Sequence, residues 1–177
     1  MQYTTTYCSP LGSITPAADG EALTGLWFEG QKYYALYLDK EHEEKDLPVF
    51  QQAGEWLDIY FSGRAPGFTP PLRFTGSAFQ NEVWAILAAI PYGKTRTYGD
   101  IARELAKKRG LAHMSAQAVG GAVGKNEISI IVPCHRVVGA NGSLTGYAGG
   151  IAKKVELLKL EGALKEEYFI PKHSTAP

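Results

Sequence analysis

The sequence has few cysteines and no long apolar run, and both scarcities limit what the protein can be. Only Cys8 and Cys134 occur among its 177 residues, which excludes a four-cysteine zinc site and a disulfide framework. No apolar stretch approaches the ~18 residues that a membrane-spanning helix needs. The N-terminus also lacks a basic segment followed by an apolar one. We therefore expect a folded, cytoplasmic protein with free thiols and no membrane association.

The net charge is zero, but the two halves of the chain differ in sign. Residues 1–76 contain 5 basic and 10 acidic side chains, whereas residues 77–177 contain 13 basic and 8 acidic ones. Because phosphates attract positive charge, only the second half is suited to contact nucleic acid.

The first half predicts a small sheet with one helix packed on it. Alternating β-branched and aromatic residues indicate strands, and a charged segment after them indicates a solvated loop or a helix end. Apolar residues then recur at helical spacing between Pro48 and Gly63. A proline-rich stretch follows and predicts an extended linker. The strands are predicted at residues 2–8, 11–15 and 22–28, the charged loop at 41–46, and the linker at 65–72.

The second half opens with three predicted helices. Ser77 and Gln80 have capping-box spacing, and Thr97 can cap a second helix. A third helix, from Ser115 to about Gly124, consists almost wholly of Ala, Val and Gly. Two short helices joined by a turn behind a longer helix resemble a helix-turn-helix unit.

The rest of this half predicts a hairpin and a final helix. Asn141-Gly142 is a tight-turn signal, so the chain should double back through residues 144–147. A helix over residues 151–160 follows, with Ile151, Val155 and Leu158 as its buried stripe. Together these elements predict an α/β fold with domains at residues 1–76 and 77–177. The first is a small α/β domain of sheet plus helix, and the second is mainly helical with a winged helix-turn-helix-like unit.

The stretch from Ile128 to Val138 combines an apolar, β-branched run with Pro133, Cys134 and His135. The run predicts a strand, and the proline indicates that Cys134 emerges exposed at its tip. Reactive thiols need exposure and a proton acceptor, although a buried inert cysteine is the simpler interpretation. Neighbouring strand residues face opposite ways, so His135 would reach Cys134 only through a water molecule. Glu161 could orient His135, or it could be a solvated surface glutamate.

The helix after Ser115 is unusually rich in glycine. Gly120, Gly121 and Gly124 each cost up to ~1 kcal/mol relative to alanine inside a helix. Close packing against another helix would offset that cost. A second interpretation is that a helix without bulk lets its backbone press into a groove of DNA, and both can hold on opposite faces.

These residues together resemble one family. The run Pro133-Cys134-His135-Arg136-Val137, the helix Ala118–Ala122 with Asn126, the turn Gly146-Tyr147 and the final Glu161-Gly162 resemble the O6-alkylguanine-DNA alkyltransferases. The resemblance is strongest over residues 77–163. It implies single-use transfer of an alkyl group from O6 of guanine, and from O4 of thymine, in double-stranded DNA to a cysteine, without a cofactor. It also implies a monomer.

The resemblance assigns roles by position. Cys134 corresponds to the alkyl acceptor, His135 to its water-linked base, Glu161 to the group orienting that base, and Asn126 to a brace for the Cys134 loop. Tyr98 corresponds to the donor that helps guanine leave. The remaining substrate contacts would come from the carbonyls of Cys134 and Val137, the amide of Ala148, and the pocket wall at Tyr147 and Gly149. Arg136 corresponds to a structural arginine, and we assign it no chemistry.

Among the residues expected to contact DNA, this chain differs from many family members at one position. Many family members insert an arginine into the duplex where this chain has Gln117, which is shorter and uncharged. We expect Gln117 to fill the gap left by the flipped base, with Met114 as an apolar wedge. Further DNA contacts are expected at Ser115, Ala118, Gly121 and Lys125. Zinc-binding members use N-terminal Cys and His ligands, but this half offers only Cys8 and His42, so we expect no metal.

Two other functions compete with this one. A DNA-binding module could recognise alkylated bases without repairing them, although relatives of that kind lack the reactive cysteine that Cys134 supplies. A cysteine hydrolase could use the same Cys and His pair. It would turn over an ester or amide repeatedly, whereas an alkyltransferase would be consumed.

Overall fold

In a computed structural model of the chain, residues 1–172 are described and form two compact units. The first unit consists of Met1–Thr75 together with Glu127–Ile131, and the second of Gly76–Asn126 and the chain from Val132 onward. The first unit is therefore discontinuous in sequence, because a short segment from the second half returns to it. Residues 173–177, at the end of the predicted second domain, lie outside the described residues.

The first unit is a five-stranded sheet centred on β3. This strand pairs antiparallel with β1, β2 and β4, and β1 also pairs parallel with β5. The predicted strands at residues 11–15 and 22–28 are confirmed, whereas the one predicted at 2–8 is divided into two short strands. The expected loop over residues 41–46 is wrong, because its middle forms the exposed strand β5, where charged side chains stay in solvent at a sheet edge. The strands are β1 (Gln2–Thr4), β2 (Tyr7–Ser9), β3 (Gly12–Ala18), β4 (Leu23–Phe28) and β5 (His42–Glu44).

A single helix and two extended segments complete this unit. Helix α1 (Pro48–Phe61) confirms the helical spacing, with Pro48 in its first turn and Ala53 and Leu57 fully buried. The edge of β4 is covered by main-chain hydrogen bonds from two other parts of the chain. Leu23 N–H donates to the carbonyl of Pro71, and Leu26 N–H donates to that of Glu127, both at 2.8 Å. The glutamate thereby becomes part of the first unit.

The second unit begins with the three predicted helices, α2 (Ala78–Ala88), α3 (Tyr98–Arg109) and α4 (Ala116–Gly124). Capping boxes start the first two, at Ser77 and at Thr97, as their sequences indicate. Ser115 caps α4 by accepting from the N–H of Ala118 at 3.2 Å. The helix-turn-helix order is therefore confirmed.

The predicted strand over residues 128–132 is wrong. This segment is irregular apart from an isolated bridge between Ile128 and Leu26, and it turns sharply at Ile130, whose φ is 70°. A 3-10 helix, Cys134–Arg136, follows it. Only β7 (Val137–Val138) is a strand, and it pairs parallel with β6 (Arg96–Thr97). The apolar run is explained by burial, which favours the same residue types whether or not the backbone is extended.

The predicted hairpin beyond β7 is also wrong, although its turn forms. Asn141 and Gly142 have left-handed φ values of 63° and 84°, yet residues 144–147 are not a strand. The N–H of Leu144 instead donates to the carbonyl of Phe169 at 2.8 Å, so a later part of the chain supplies the partner. A local turn signal fixes the direction of the chain, and tertiary contacts select what pairs with it.

Helix α5 (Ile151–Leu160) closes the unit, with Glu161 as its C-cap. The predicted buried stripe is partly wrong, since Ile151 and Val155 are only half-buried while Leu158 is buried. The fully buried face instead includes Lys154 and Leu157. None of the helices in residues 1–172 is long and apolar enough to cross a membrane.

Candidate active site

Cys134 is the first residue of the 3-10 helix and has only 5% of its surface exposed. The expected exposed thiol at a strand tip is therefore wrong, because the chain turns inward before Pro133 instead of ending a strand there. Burial raises the pKa of the Cys134 thiol, while a hydrogen bond with Asn126 and the charge of Lys154 act in the opposite direction. The resting group is a neutral thiol, so its use as a nucleophile requires a base.

His135 follows directly and pairs with Glu161. The Nε2 atom of His135 lies 2.5 Å from Oε2 of Glu161, and both side chains are completely buried. Because an ionised carboxylate only accepts hydrogen bonds, Nε2 carries the proton and Nδ1 is the basic atom of the ring. The opposite orientation expected of Cys134 and His135 on a strand is wrong, because both residues lie on a 3-10 helical turn.

The pKa values of the pair are set by burial and by charged neighbours. Burial lowers the pKa of His135, although its hydrogen bond to Glu161 raises it. Burial alone would raise the pKa of Glu161, but the hydrogen bond from His135 and the charge of Arg136 bring it down to about 2. The pair is therefore a neutral imidazole held by a carboxylate, as a general base requires.

Arg136 occupies the other side of the same carboxylate. Its Nε donates to Oε1 of Glu161 at 2.8 Å and its Nη2 to Oε2 at 3.2 Å. The third nitrogen, Nη1, donates to the carbonyl of Ile90 at 2.7 Å. The backbone N–H of Gly93 also donates to Oε1 of Glu161, at 3.0 Å. Glu161 is therefore held by three donor groups, and the solvated-glutamate alternative is wrong.

Asn126 lies two residues beyond α4 and contacts the segment that carries the thiol. Its Nδ2 donates to the carbonyl of Val132 at 2.8 Å, and its side chain hydrogen-bonds the Cys134 thiol. Its own N–H donates to the carbonyl of Val123 at the end of the helix. The residue thus connects the end of α4 to the loop of Cys134.

Tyr98 begins α3 and points its hydroxyl toward the same region. The hydroxyl donates to the carbonyl of Thr145 at 3.2 Å. Burial and the proximity of Cys134 raise the pKa of Tyr98 to about 12, so the phenol keeps its proton at neutral pH. A Cβ added at Gly120 would lie 3.7 Å from the Tyr98 ring, an ordinary contact. The tyrosine is therefore a neutral donor near the thiol, and its one O–H must leave the carbonyl of Thr145 before it can donate to a substrate.

Lys154 is a buried residue of this site that the sequence interpretation missed. Its Nζ donates to the carbonyls of Val137 at 2.6 Å and Thr145 at 2.8 Å. Burial lowers its pKa to about 8, although Cys134 raises it. A signal was present, since Lys154 lies three and four positions before the buried Leu157 and Leu158 and therefore shares their helix face. A lysine on an apolar face is a reason to look for buried acceptors.

The other expected substrate contacts lie on the loop after Thr145. Tyr147 is buried, and its ring is edge-on to that of His135 at a centroid distance of 6.4 Å. Ala148 and Gly149 are half-buried in a turn that the N–H of Gly150 closes onto the carbonyl of Tyr147 at 2.9 Å. The carbonyl of Val137, expected to accept from guanine, already accepts from Lys154.

The expected DNA-contacting residues lie on α4 and on the turn before it. Ser115, Gln117 and Ala118 are exposed, while Met114 lines a groove of about 660 Å³ between α3 and this turn. No described atom lies within 4 Å of the position of a Cβ added at Gly121, so that face of α4 is open. Lys125 is half-buried at the C-cap of the helix.

Family models match both parts of the chain. Residues 2–74 match the 6-O-methylguanine DNA methyltransferase, ribonuclease-like domain, and residues 78–163 match its DNA binding domain. Proteins named methylated-DNA–protein-cysteine methyltransferase are similar over most of the chain. The one from Haemophilus influenzae is 41% identical and covers 90% of this chain and 86% of its own. The one from Mycobacterium tuberculosis (strain H37Rv) is 45% identical, covering 86% and 88%.

Solved structures agree with this similarity. The crystal structure of Mycobacterium tuberculosis OGT in complex with DNA is 42% identical, covers 93% of this chain and 96% of its own, and superposes with a TM-score of 0.77. The crystal structure of Mycobacterium tuberculosis O6-methylguanine methyltransferase, also 42% identical, covers 94% and 96% with a TM-score of 0.76.

Proposed function

The chain belongs to the 6-O-methylguanine DNA methyltransferase family, and from this premise we propose that it repairs alkylated DNA directly. It moves an alkyl group from O6 of guanine, and from O4 of thymine, to Cys134. The observation that carries the proposal is the buried pair of His135 and Glu161, whose Nε2 and Oε2 atoms lie 2.5 Å apart, with His135 directly following that cysteine in the chain. A buried neutral imidazole beside a neutral thiol supplies the base that the thiol lacks.

The reaction balances without a cofactor. Nδ1 of His135 takes the thiol proton through a bridging water, and the sulfur of Cys134 attacks the alkyl carbon. The S–C bond forms, the C–O6 bond breaks, and the bonding electron pair passes to guanine. Tyr98 donates a hydrogen bond to the departing base and stabilises its added charge. The product is a thioether, which has no carbonyl for water to attack, so each molecule is used once.

The remaining residues of the proposal bind and position substrate. Asn126 holds the loop of Cys134, and the carbonyls of Cys134 and Val137 accept from the guanine amine. The amide of Ala148 donates to O6, while Tyr147 and Gly149 bound the pocket. Backbone groups suit these contacts because the fold fixes their positions.

The DNA side of the proposal is placed on α4. Gln117 fills the gap left by a flipped base with support from Met114, and the open face at Gly121 admits the DNA backbone. Ser115, Ala118 and Lys125 provide flanking contacts. Residues 77–177 carry the reaction as a monomer, and residues 1–76 are structural support. Because both cysteines are free thiols, we place the protein in the reducing cytoplasm.

Intact-mass measurement tests the proposal. After incubation with duplex DNA containing O6-methylguanine, the protein should gain one methyl group, and the Cys134→Ala variant should gain none. A Cys8→Ser variant is the matched control and should react like the wild type. Binding without an adduct would instead identify a DNA-binding module, and repeated turnover of an ester would identify a hydrolase. Either result would overturn the proposal.

The same assay tests Gln117. Gln117→Ala should slow transfer from duplex DNA about tenfold or less, as expected for loss of one contact worth ~1 kcal/mol. Transfer from single-stranded DNA, which has no gap to fill, should be unchanged. An equal effect on both substrates would remove the base-flipping role.

A further inference from the structure

Arg136 is a buried charged residue for which the mechanism above has no use. It makes three hydrogen bonds to Glu161 and Ile90, and its guanidinium also lies over the ring of Tyr92 at 5.7 Å. A guanidinium with only a packing role would not need two hydrogen bonds to the carboxylate that also binds His135. The geometry makes Arg136 and His135 competitors for one carboxylate.

We propose that Arg136 is a positioning residue that sets the basicity of His135 through Glu161. Its Nε and Nη2 hold the two oxygens of Glu161, one of which also binds Nε2 of His135, and its positive charge partly offsets the negative charge of the carboxylate. Burial is the largest cause that lowers the pKa of His135, and the charge of Arg136 adds to it. His135 therefore stays neutral in the resting protein, and Nδ1 is ready to take the proton of Cys134. This inference rests on the proposed function.

The groups facing His135 support this assignment. Glu161, from the end of α5, favours the imidazolium, whereas Arg136 on the 3-10 helix and Lys154 on α5 both lower the pKa of His135. Tyr147 presents only a ring edge. A carboxylate bound by His135 alone would stabilise the imidazolium more strongly. His135 would then remain protonated up to a higher pH, and a protonated imidazole cannot accept the thiol proton.

The same balance keeps Glu161 from taking the proton itself. Tyr92 also lies near the carboxylate. Burial and then the negative charge of Glu161 raise the pKa of Tyr92, while Arg136 lowers it. Tyr92 therefore stays neutral and adds no charge. With Arg136 on one side and the N–H of Gly93 on the other, the carboxylate stays ionised and fixed. His135 is left as the group that changes protonation state.

Substitutions that separate charge from geometry test the inference. In a Cys8→Ser background, Arg136→Met removes the charge and the fork, whereas Arg136→Lys keeps the charge and loses the fork. Arg73→Met is the matched control, because Arg73 pairs with Asp19 in the first unit. Folding of each variant is checked by circular dichroism and thermal unfolding.

Each variant is studied by two measurements between pH 5 and 9. NMR titration of labelled histidine reports the protonation of His135, and single-turnover transfer from O6-methylguanine DNA reports the reaction. In Arg136→Met, the His135 midpoint and the acid limb of the rate profile should both move up by about one pH unit. In Arg136→Lys both midpoints should stay near wild type while the maximal rate falls, and Arg73→Met should change neither.

The NMR titration separates this inference from the proposed function, because it needs no transfer. If wild-type protein forms no adduct but the His135 midpoint still shifts, the function is wrong and the role of Arg136 stands. An Arg136→Met protein that loses rate at every pH with an unmoved midpoint would overturn the inference. If Arg136→Met does not fold, Arg136→Gln in the same titration must shift the midpoint upward, and an unshifted midpoint there also overturns it.

Discussion

Two buried glutamates, one in each unit of the molecule, have opposite protonation behaviour. Glu127 in the first unit is 3% exposed, and its carboxyl oxygens lie 2.8 and 3.1 Å from the hydroxyl of Thr75. Burial raises its pKa to about 7, and the Thr75 contacts only partly oppose this. Glu161 in the second unit has a comparable exposure of 7%, yet its pKa is about 2.

The difference between the two carboxyls comes from their partners. Glu161 faces a guanidinium, an imidazole and a backbone N–H, whereas Glu127 faces a hydroxyl and a backbone amide of Thr75. Burial therefore penalises both carboxylates, and only charged donors reverse the penalty. The carboxylate with a guanidinium partner belongs to the candidate site, whereas the carboxylate without a charged donor lies where ionisation lowers the stability of the fold.

Removing the carboxylate of Glu161 should have the largest effect. Glu161→Gln leaves Arg136 buried without its anion, so we expect a loss of about 3–5 kcal/mol in the free energy of unfolding. Transfer to Cys134 should slow at least about 100-fold, because His135 loses the group that orients it. Urea unfolding and single-turnover kinetics measure the two effects.

The exposed Glu156 on the same helix provides the control for this change. Its carboxylate lies 3.7 Å from Lys159, and Glu156→Gln should alter the unfolding free energy by less than about 0.5 kcal/mol. The depressed pKa of Glu161 also predicts a pH range. Its contribution is fully present above the ordinary value of 4.5 and is lost as the pH falls through 4.5 toward 2. A Glu161→Gln protein as stable as wild type at pH 7 would contradict the comparison.

At Glu127 the pH dependence of stability should have the opposite sign. Its folded pKa of about 7 lies above the ordinary value of 4.5, so wild-type stability falls as the pH rises from 4.5 through 7. Glu127→Gln removes that dependence and should stabilise the protein by about 3 kcal/mol at pH 8, with little effect at pH 5. Thermal or urea unfolding at the two pH values measures it.

Glu55 supplies the comparison residue, since it is an exposed glutamate on α1 of the same unit. Glu55→Gln should leave the pH dependence of unfolding unchanged. If Glu127→Gln proves destabilising at pH 8, then the ionised carboxylate has a charged partner in solution, and the contrast with Glu161 fails.

Lys154 should give the smallest of the three effects. Lys154→Met removes the cation that favours the Cys134 thiolate, so the thiol pKa should rise by about one unit and alkylation at pH 7 should slow about tenfold. The rate of iodoacetamide reaction with Cys134 against pH, in a Cys8→Ser background, measures this. The exposed Lys159→Met is the control. An unchanged thiol pKa would mean that Lys154 serves only its two carbonyl acceptors.

Local sequence signals predict the helices and the turns, but they do not predict which strands pair. The capping residues Ser77, Thr97 and Ser115 begin helices as their sequences indicate, because a cap depends on neighbours within three positions. The apolar residues of segment 128–132 predict a strand, but the same residue types suit any buried backbone. The turn at Asn141 formed, but its expected strand partner did not, since strand pairing is decided by distant segments.

The candidate site divides in the same way. The sequence alone brought together Cys134, His135, Glu161, Asn126 and Tyr98 as a group, through the resemblance that their motifs carry. It could not provide the 2.5 Å contact between His135 and Glu161, which spans 26 residues of sequence. It also gives no chemical role to Arg136 or Lys154. A charged residue is expected to be exposed to solvent unless its buried hydrogen-bond acceptors are known.

By itself, the amino-acid sequence determined the helices and the order of the elements, and it indicated Cys134 as the candidate nucleophile. These follow from short-range hydrogen bonding, from side-chain periodicity and from residue chemistry. Tertiary structure alone decided that segment 127–131 returns to the first unit, and that the thiol is buried and neutral. It also decided that one glutamate is ionised while another is not. Burial and the distances between charges set these outcomes, and both depend on residues far apart in the chain.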